Sequence, residues 1–93
     1  MELKWTSKAL SDLVRLYDFL STVNKSAAAT VMQTLTQAPS ILLTNPRIGE
    51  QLFQFEPREV RRILVGKYEV RYEIQDSFIY VLRLWHGRED RQV

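Results

Sequence analysis

The sequence predicts an α+β domain: a helical hairpin packed on one face of a small twisted antiparallel sheet, in the order β-α-α-β-β-β. Three observations predict it. Apolar residues recur at three- and four-residue spacing through the N-terminal third. From Glu59 onward the apolar period is two. The connections at Gly66-Lys67 and Asp76-Ser77 are too short for anything but antiparallel neighbours.

Residues 3–5 alternate apolar and polar, as in a short strand. Thr6 or Ser7 then offers a side-chain oxygen to the orphan amides of a helix start. Ala9, Leu10, Leu13, Val14, Tyr17 and Leu20 form one stripe, with Lys8, Asp12, Arg15 and Asp18 off it. Leu16 lies off the stripe, which allows an exposed apolar residue there, with core packing as the simpler alternative. Asn24 or Ser26 caps a second helix with the stripe Ala28, Val31, Met32 and Leu35. Pro39 lacks a backbone donor and crowds the preceding turn, so a kink or break is expected there. Two helices this close, with complementary stripes, pack as an antiparallel pair.

Asn45, Pro46 and Gly49 are turn residues. Leu52, Phe53 and Phe55 make residues 50–58 an apolar loop pinned to something, and Pro57 argues against a central strand there. In the strand after Gly66-Lys67, Tyr68, Val70, Tyr72 and Ile74 form one face and Glu69, Arg71, Glu73 and Gln75 the other. Residues 78–85 are apolar on both faces except Arg83, as in a central strand. The hairpin of helices covers one sheet face only, leaving Glu69, Arg71 and Glu73 on a partly open one.

The 93 residues suit one domain, 1–93. There is no cysteine and one histidine, which excludes disulfides, thiolate nucleophiles and a multi-histidine metal site within one chain. No cofactor is expected. The start lacks an apolar h-region and no run reaches a membrane span's length, so neither signal peptide nor membrane is expected and a cytoplasmic protein is. Net charge is only +2, but residues 57–93 carry eight basic side chains, seven of them arginine, against six acidic ones. Arginine suits planar contact with phosphate or carboxylate.

Four segments together resemble the RelE/ParE superfamily of bacterial toxins across nearly the whole chain. They are L-x-W-T-x-x-A-x-x-D-L from Leu3, N-P-R-I-G-E-Q-L from Asn45, R-R-I-L-V-G-K-Y-E-V-R-Y-E-I from Arg61 and V-L-R-L-W-H-G-R-E-D-R from Val81. The resemblance implies a toxin neutralised by a cognate antitoxin in a hetero-oligomer. It leaves two targets open. ParE-like toxins poison DNA gyrase, the branch favoured here. RelE-like toxins cleave mRNA in the ribosome. A degenerate toxin retaining only antitoxin binding is a third reading.

RNA cleavage needs a base, an acid and cationic support for the phosphate. Arg71 stands where related ribonuclease toxins place a phosphate-binding arginine, and His86 near where some place a catalytic histidine, with Glu50 or Glu56 as base. Against this, Glu69 and Glu73 flank Arg71 and repel an RNA backbone. The plain alternatives are an ion pair for Arg71 with Glu69, Glu73 or Glu59, and a packed His86 closing the sheet edge. Arg83 is expected to hold a carboxylate or reach the surface, and Trp5 and Trp85 to be core. Arg71, Arg88 and Arg91 are the candidate target contacts. For the antitoxin, an apolar groove rimmed by arginine is expected at Leu13, Leu16, Tyr17 and Leu20.

Overall fold

The computed structural model describes residues 1–89. Its elements are β1 (Glu2–Trp5), α1 (Ser7–Ser21), α2 (Lys25–Gln37), β2 (Glu50–Gln51), β3 (Glu59–Val65), β4 (Tyr68–Gln75) and β5 (Phe78–His86). One sheet runs β1-β5-β4-β3-β2. The three C-terminal strands pair antiparallel as their turns require. β1 departs from the expected pattern: it lies parallel to β5, so the sheet is mixed. A parallel partner far away in sequence leaves no turn signal to read. Residues 50–51 form a minimal edge strand on β3 within what the sequence reads as loop. Among the described residues no helix is long and apolar enough to cross a membrane.

The caps are those with the right oxygen in the right place. Thr6 Oγ1 accepts from the Ala9 amide at 3.2 Å and starts α1. Asn24 Oδ1 accepts from the Ala27 amide at 3.0 Å and starts α2. Pro39 ends α2, and the chain continues as a 3-10 helix, Ala38–Leu43, that buries Leu42. At the Gly66 turn φ is +60°, where glycine has no Cβ to clash.

Both helices lie on the sheet face presenting Val70, Tyr72, Ile74, Ile79, Val81 and Leu84, all buried against Ala9, Leu16, Leu35 and Leu42. Fully burying an aliphatic side chain of this size stabilises by about 1.5–3 kcal/mol. The α2 stripe is as expected, with Ala28 and Leu35 fully buried. The α1 stripe is rotated. Its buried residues are Ala9, Asp12 and Leu16, whereas Leu10, Val14 and Tyr17 are 50%, 61% and 39% exposed. Leu16, off the sequence stripe, is 3% exposed and takes the core-packing alternative.

The rotation follows from an edge. β1 pairs β5 only as far as Val81. Beyond it the backbone of β5 needs other partners, because buried amide and carbonyl groups left without them are costly. Thr6 Oγ1 donates to the carbonyls of Val81 and Leu82 at 2.8 and 3.2 Å. Asp12 accepts the Leu84 amide at 2.9 Å and Arg15 donates to the Leu84 carbonyl at 3.1 Å. A buried face carrying Asp12 is therefore a requirement of the strand beside it.

Candidate functional site

A β-bulge decides what each sheet face displays. Counting from the Asp76-Ser77 turn, Gln75 opposes Phe78 and Tyr72 opposes Val81, but Arg71 then opposes Arg83, skipping Leu82. An extra residue in one strand sends every later side chain to the other face. Arg83 and Trp85 thus join Glu69 and Arg71 on the face away from the helices. His86 pairs with Tyr68 and goes to the helix-covered face. Arg71 and His86, the two residues proposed for RNA cleavage, stand on opposite faces of the sheet. The histidine is packed: its ring meets Tyr68 edge-on at 5.3 Å and its Nδ1 accepts the Arg88 amide at 3.1 Å.

The face away from the helices carries a layered arginine–aromatic cluster. The Arg71 guanidinium lies 5.3 Å from the Phe55 ring centre and 4.7 Å from that of Trp85. Arg83 lies 4.9 Å from the same indole. Weakly hydrated, planar guanidinium groups favour such faces. Phe55 arrives from the short 3-10 helix Phe53–Phe55, which folds the apolar loop over this face. The loop is pinned at its start by Gly49 and Tyr72. The Tyr72 hydroxyl donates to the Pro46 carbonyl at 2.6 Å and accepts the Gly49 amide at 3.1 Å. A Cβ at residue 49 would fall 2.6 Å from the Arg62 carbonyl, so only glycine fits. Burial pushes the Tyr72 hydroxyl's pKa up.

Thr6, Ser7 and Lys8 at the start of α1, with Phe55, Arg58, Arg71, Leu82, Arg83 and Trp85, enclose an open cleft of about 480 Å³. Its arginines are held from behind by carboxylates. Arg58 meets Glu73 at 2.8 Å, Arg83 meets Asp12 at 2.8 Å, and Arg71 meets Glu69 at 3.4 Å. Glu69, fully buried, also takes Arg62 at 3.0 Å, and Arg62 takes Glu50 at 2.5 Å. The cleft thus presents oriented guanidinium groups with little net excess of charge.

The helix-covered face ends in a groove of about 430 Å³ between α1 and the end of the hairpin, lined by Arg15, Leu16, Phe19, Leu20, Tyr68, His86, Arg88 and Glu89. Arg15 reaches Glu89 with Nε and Nη2, at 3.1 and 3.2 Å, and also bonds Asp12. Burial opposes ionisation of Asp12, but Arg83, the Leu84 amide and Arg15 outweigh it and hold the carboxyl below its ordinary 3.8. Burial opposes ionisation of Glu89 too, and Arg15 and the His86 amide hold it below its ordinary 4.5.

The structure therefore distributes the expected site residues rather than gathering them. Arg71 is on the anticipated face, its side chain 13% exposed beneath two rings, and its carboxylate is Glu69. Glu59 and Glu73 bind other arginines. Arg83 does both things expected of it, holding Asp12 and lining the cleft. Trp85 is 3% exposed but lies under arginines, opposite the helices, while Trp5 packs on the helix-side core. Glu50 is tied to Arg62, and Glu56 is exposed. Arg88 is exposed at the groove, apart from Arg71, and Arg91 lies outside the described residues. Of the antitoxin residues, Tyr17 is exposed, Leu13 and Leu20 are half-buried, and Leu16 is core. Sequence reasoning missed Phe55, Trp85, Lys8 and Arg58 as a cleft. The apolar loop ending in Phe55 was the available signal. Among the described residues no group of acidic or histidine side chains is placed to hold a metal ion.

The chain is similar to several known proteins. Residues 3–91 match the family described as ParE toxin of type II toxin-antitoxin system, parDE. Toxin RelE2 of Caulobacter vibrioides is 29% identical over 83 residues, covering 89% of this chain and 91% of the relative. A solved chain of the chromosomal ParDE toxin–antitoxin system from P. aeruginosa superposes with a TM-score of 0.75 at 24% identity, covering 90% of this chain and 92% of that one. That likeness is one of fold, with two helices on a five-stranded mixed sheet. The family match reaches both helices and all five strands, and the chain belongs to the ParE toxin family of type II toxin–antitoxin systems.

Proposed function

We propose that this toxin acts by binding DNA gyrase, with no chemistry of its own, and that a cognate antitoxin neutralises it in the cytoplasm. The family match supports the toxin role and the antitoxin partner. The observation that carries the gyrase reading is the bulge at Leu82, which leaves Arg71 on one sheet face and His86 on the other. Neither Glu50, bound to Arg62, nor His86, engaged by Tyr68 and the Arg88 amide, is set up as an acid or base beside Arg71. A binding role suits the cleft better. Desolvated arginines stacked on aromatic rings are the side chains most often found to carry protein recognition energy.

One observation favours a second reading, ribosome-dependent mRNA cleavage. Lys8, Arg58, Arg71 and Arg83 surround two aromatic rings, a combination suited to a phosphate and a stacked base. A relative carrying the name RelE2 points the same way. Purified toxin added to gyrase and supercoiled DNA separates the two. The gyrase reading expects trapped, cleaved DNA that is lost with Arg71→Ala and kept with His86→Ala. Cut mRNA on translating ribosomes, with gyrase untouched, sinks it.

A further inference from the structure

The groove beside α1 has one carboxylate in its lining. Leu20, Tyr68 and the 70%-exposed Phe19 supply an apolar lining, with Arg15 and Arg88 as its cations. The acid among the lining residues, Glu89, lies three residues beyond β5. It is held there by Arg15, whose Nε and Nη2 face its two oxygens in the fork geometry of arginine–carboxylate recognition. It also accepts the His86 amide at 2.7 Å, the next open position on the β5 edge.

We propose that this groove is the seat of an amphipathic partner segment whose own carboxylate replaces Glu89 on Arg15. Glu89 then acts as an internal placeholder, satisfying Arg15 and the His86 amide while the groove is empty. Charge complementarity selects the occupant. With Glu89 displaced, the lining has two arginines, a histidine and apolar side chains, and it calls for an acidic residue set among apolar ones. A basic or purely apolar segment takes Glu89 from Arg15 and returns no carboxylate to its Nε and Nη2, leaving Asp12 as its single acidic partner among the described residues. The exchange also releases Glu89 from the α1 side of the groove, so partner binding and the placement of Arg88, its neighbour, become one event.

The inference rests on the antitoxin reading, since the antitoxin is the partner available to fill the groove. Calorimetric titration with the cognate antitoxin tests it. Glu89→Gln removes the competing charge and should tighten binding about three- to tenfold, because the binding-competent state no longer has to displace it. Arg15→Gln should weaken binding at least tenfold. Because Arg15 also bonds Asp12 and the Leu84 carbonyl, the His86 amide NMR signal of the unmutated toxin serves as the second measurement. It should move when antitoxin binds, as one carboxylate leaves and another arrives. Tight antitoxin binding with unchanged or weaker affinity in Glu89→Gln, or with an unmoved His86 signal, overturns the exchange and leaves the antitoxin reading standing. No binding by the unmutated toxin overturns both.

Discussion

On the helix-covered face of the sheet, Val70, Tyr72, Ile74, Ile79, Val81 and Leu84 are buried among aliphatic side chains of the helices. On the opposite face, Glu69 and Trp85 are equally buried, but beneath arginines and a single short loop. The first face gains from removal of apolar surface from water, which is non-directional and sums over many contacts. The second depends on a few oriented ionic and cation–π contacts, each worth little in stability at a partly wet site. The difference teaches that low exposure alone does not mark a core residue here. Trp85 is as inaccessible as Leu16, yet it is the floor of a cleft rather than the centre of a hydrophobic cluster.

The contrast can be broken or sharpened in order of effect. Leu35→Ala should destabilise most, by about 2–5 kcal/mol in urea melts, because it opens a cavity between α2 and the sheet. A cost under 1 kcal/mol there would erase the distinction between the faces. Asp12→Asn comes next, at about 2 kcal/mol, since a buried carboxylate that serves Arg83, Arg15 and the Leu84 amide loses its charge. Under the proposed gyrase-binding role, Arg71→Ala should lower gyrase affinity about 30-fold, a typical loss for a stacked arginine at an interface, while shifting the melting midpoint only slightly. A large midpoint shift with affinity intact would make Arg71 a structural residue.

Acid should act mainly through the ionic layer. Asp12, Glu59 and Glu89 all have folded pKa values below their ordinary ones. For Glu59 the leading cause is Arg47. Their contribution is therefore complete above the ordinary 3.8 and 4.5, and is lost as pH falls through the lower folded values. Thermal melts should be flat near neutrality and decline below about pH 4.5, less steeply in Asp12→Asn. The smallest effect belongs to Arg47→Ala, whose side chain is 62% exposed beside Glu59; less than about 0.5 kcal/mol is expected.

Much of this fold was legible because its local signals agree. Thr6, Asn24 and Pro39 mark helix boundaries, and the two-residue turns dictate the hairpins. What escaped involves contacts distant in sequence. β1 and β5 pair across more than 70 residues, and no local pattern announces it. Patterning also turns charged residues outward, so Asp12 was set off the buried stripe and Leu16 with it. The need that reverses this, an unpaired stretch of β5, exists only once the sheet is assembled. The site was obscured in the same way. Regular register from the Asp76-Ser77 turn would put His86 on the same sheet face as Arg71. The bulge at Leu82 sends His86 to the other face and brings Arg83 and Trp85 to that of Arg71.

The side chains that close the exposed half of β5 have a consequence for solubility. A strand edge left bare is a template for pairing with another copy, and proteins usually block it with a strand, a bulge or a lysine. Here the barrier beyond Val81 is ionic and supplied by a helix, through Asp12 and Arg15, with Glu89 beyond them. It weakens under the conditions that protonate carboxylates, while the hydrophobic face beneath stays packed. Intermolecular strand exchange, and the aggregates that grow from it, should therefore begin at this edge in acid while most of the fold is intact.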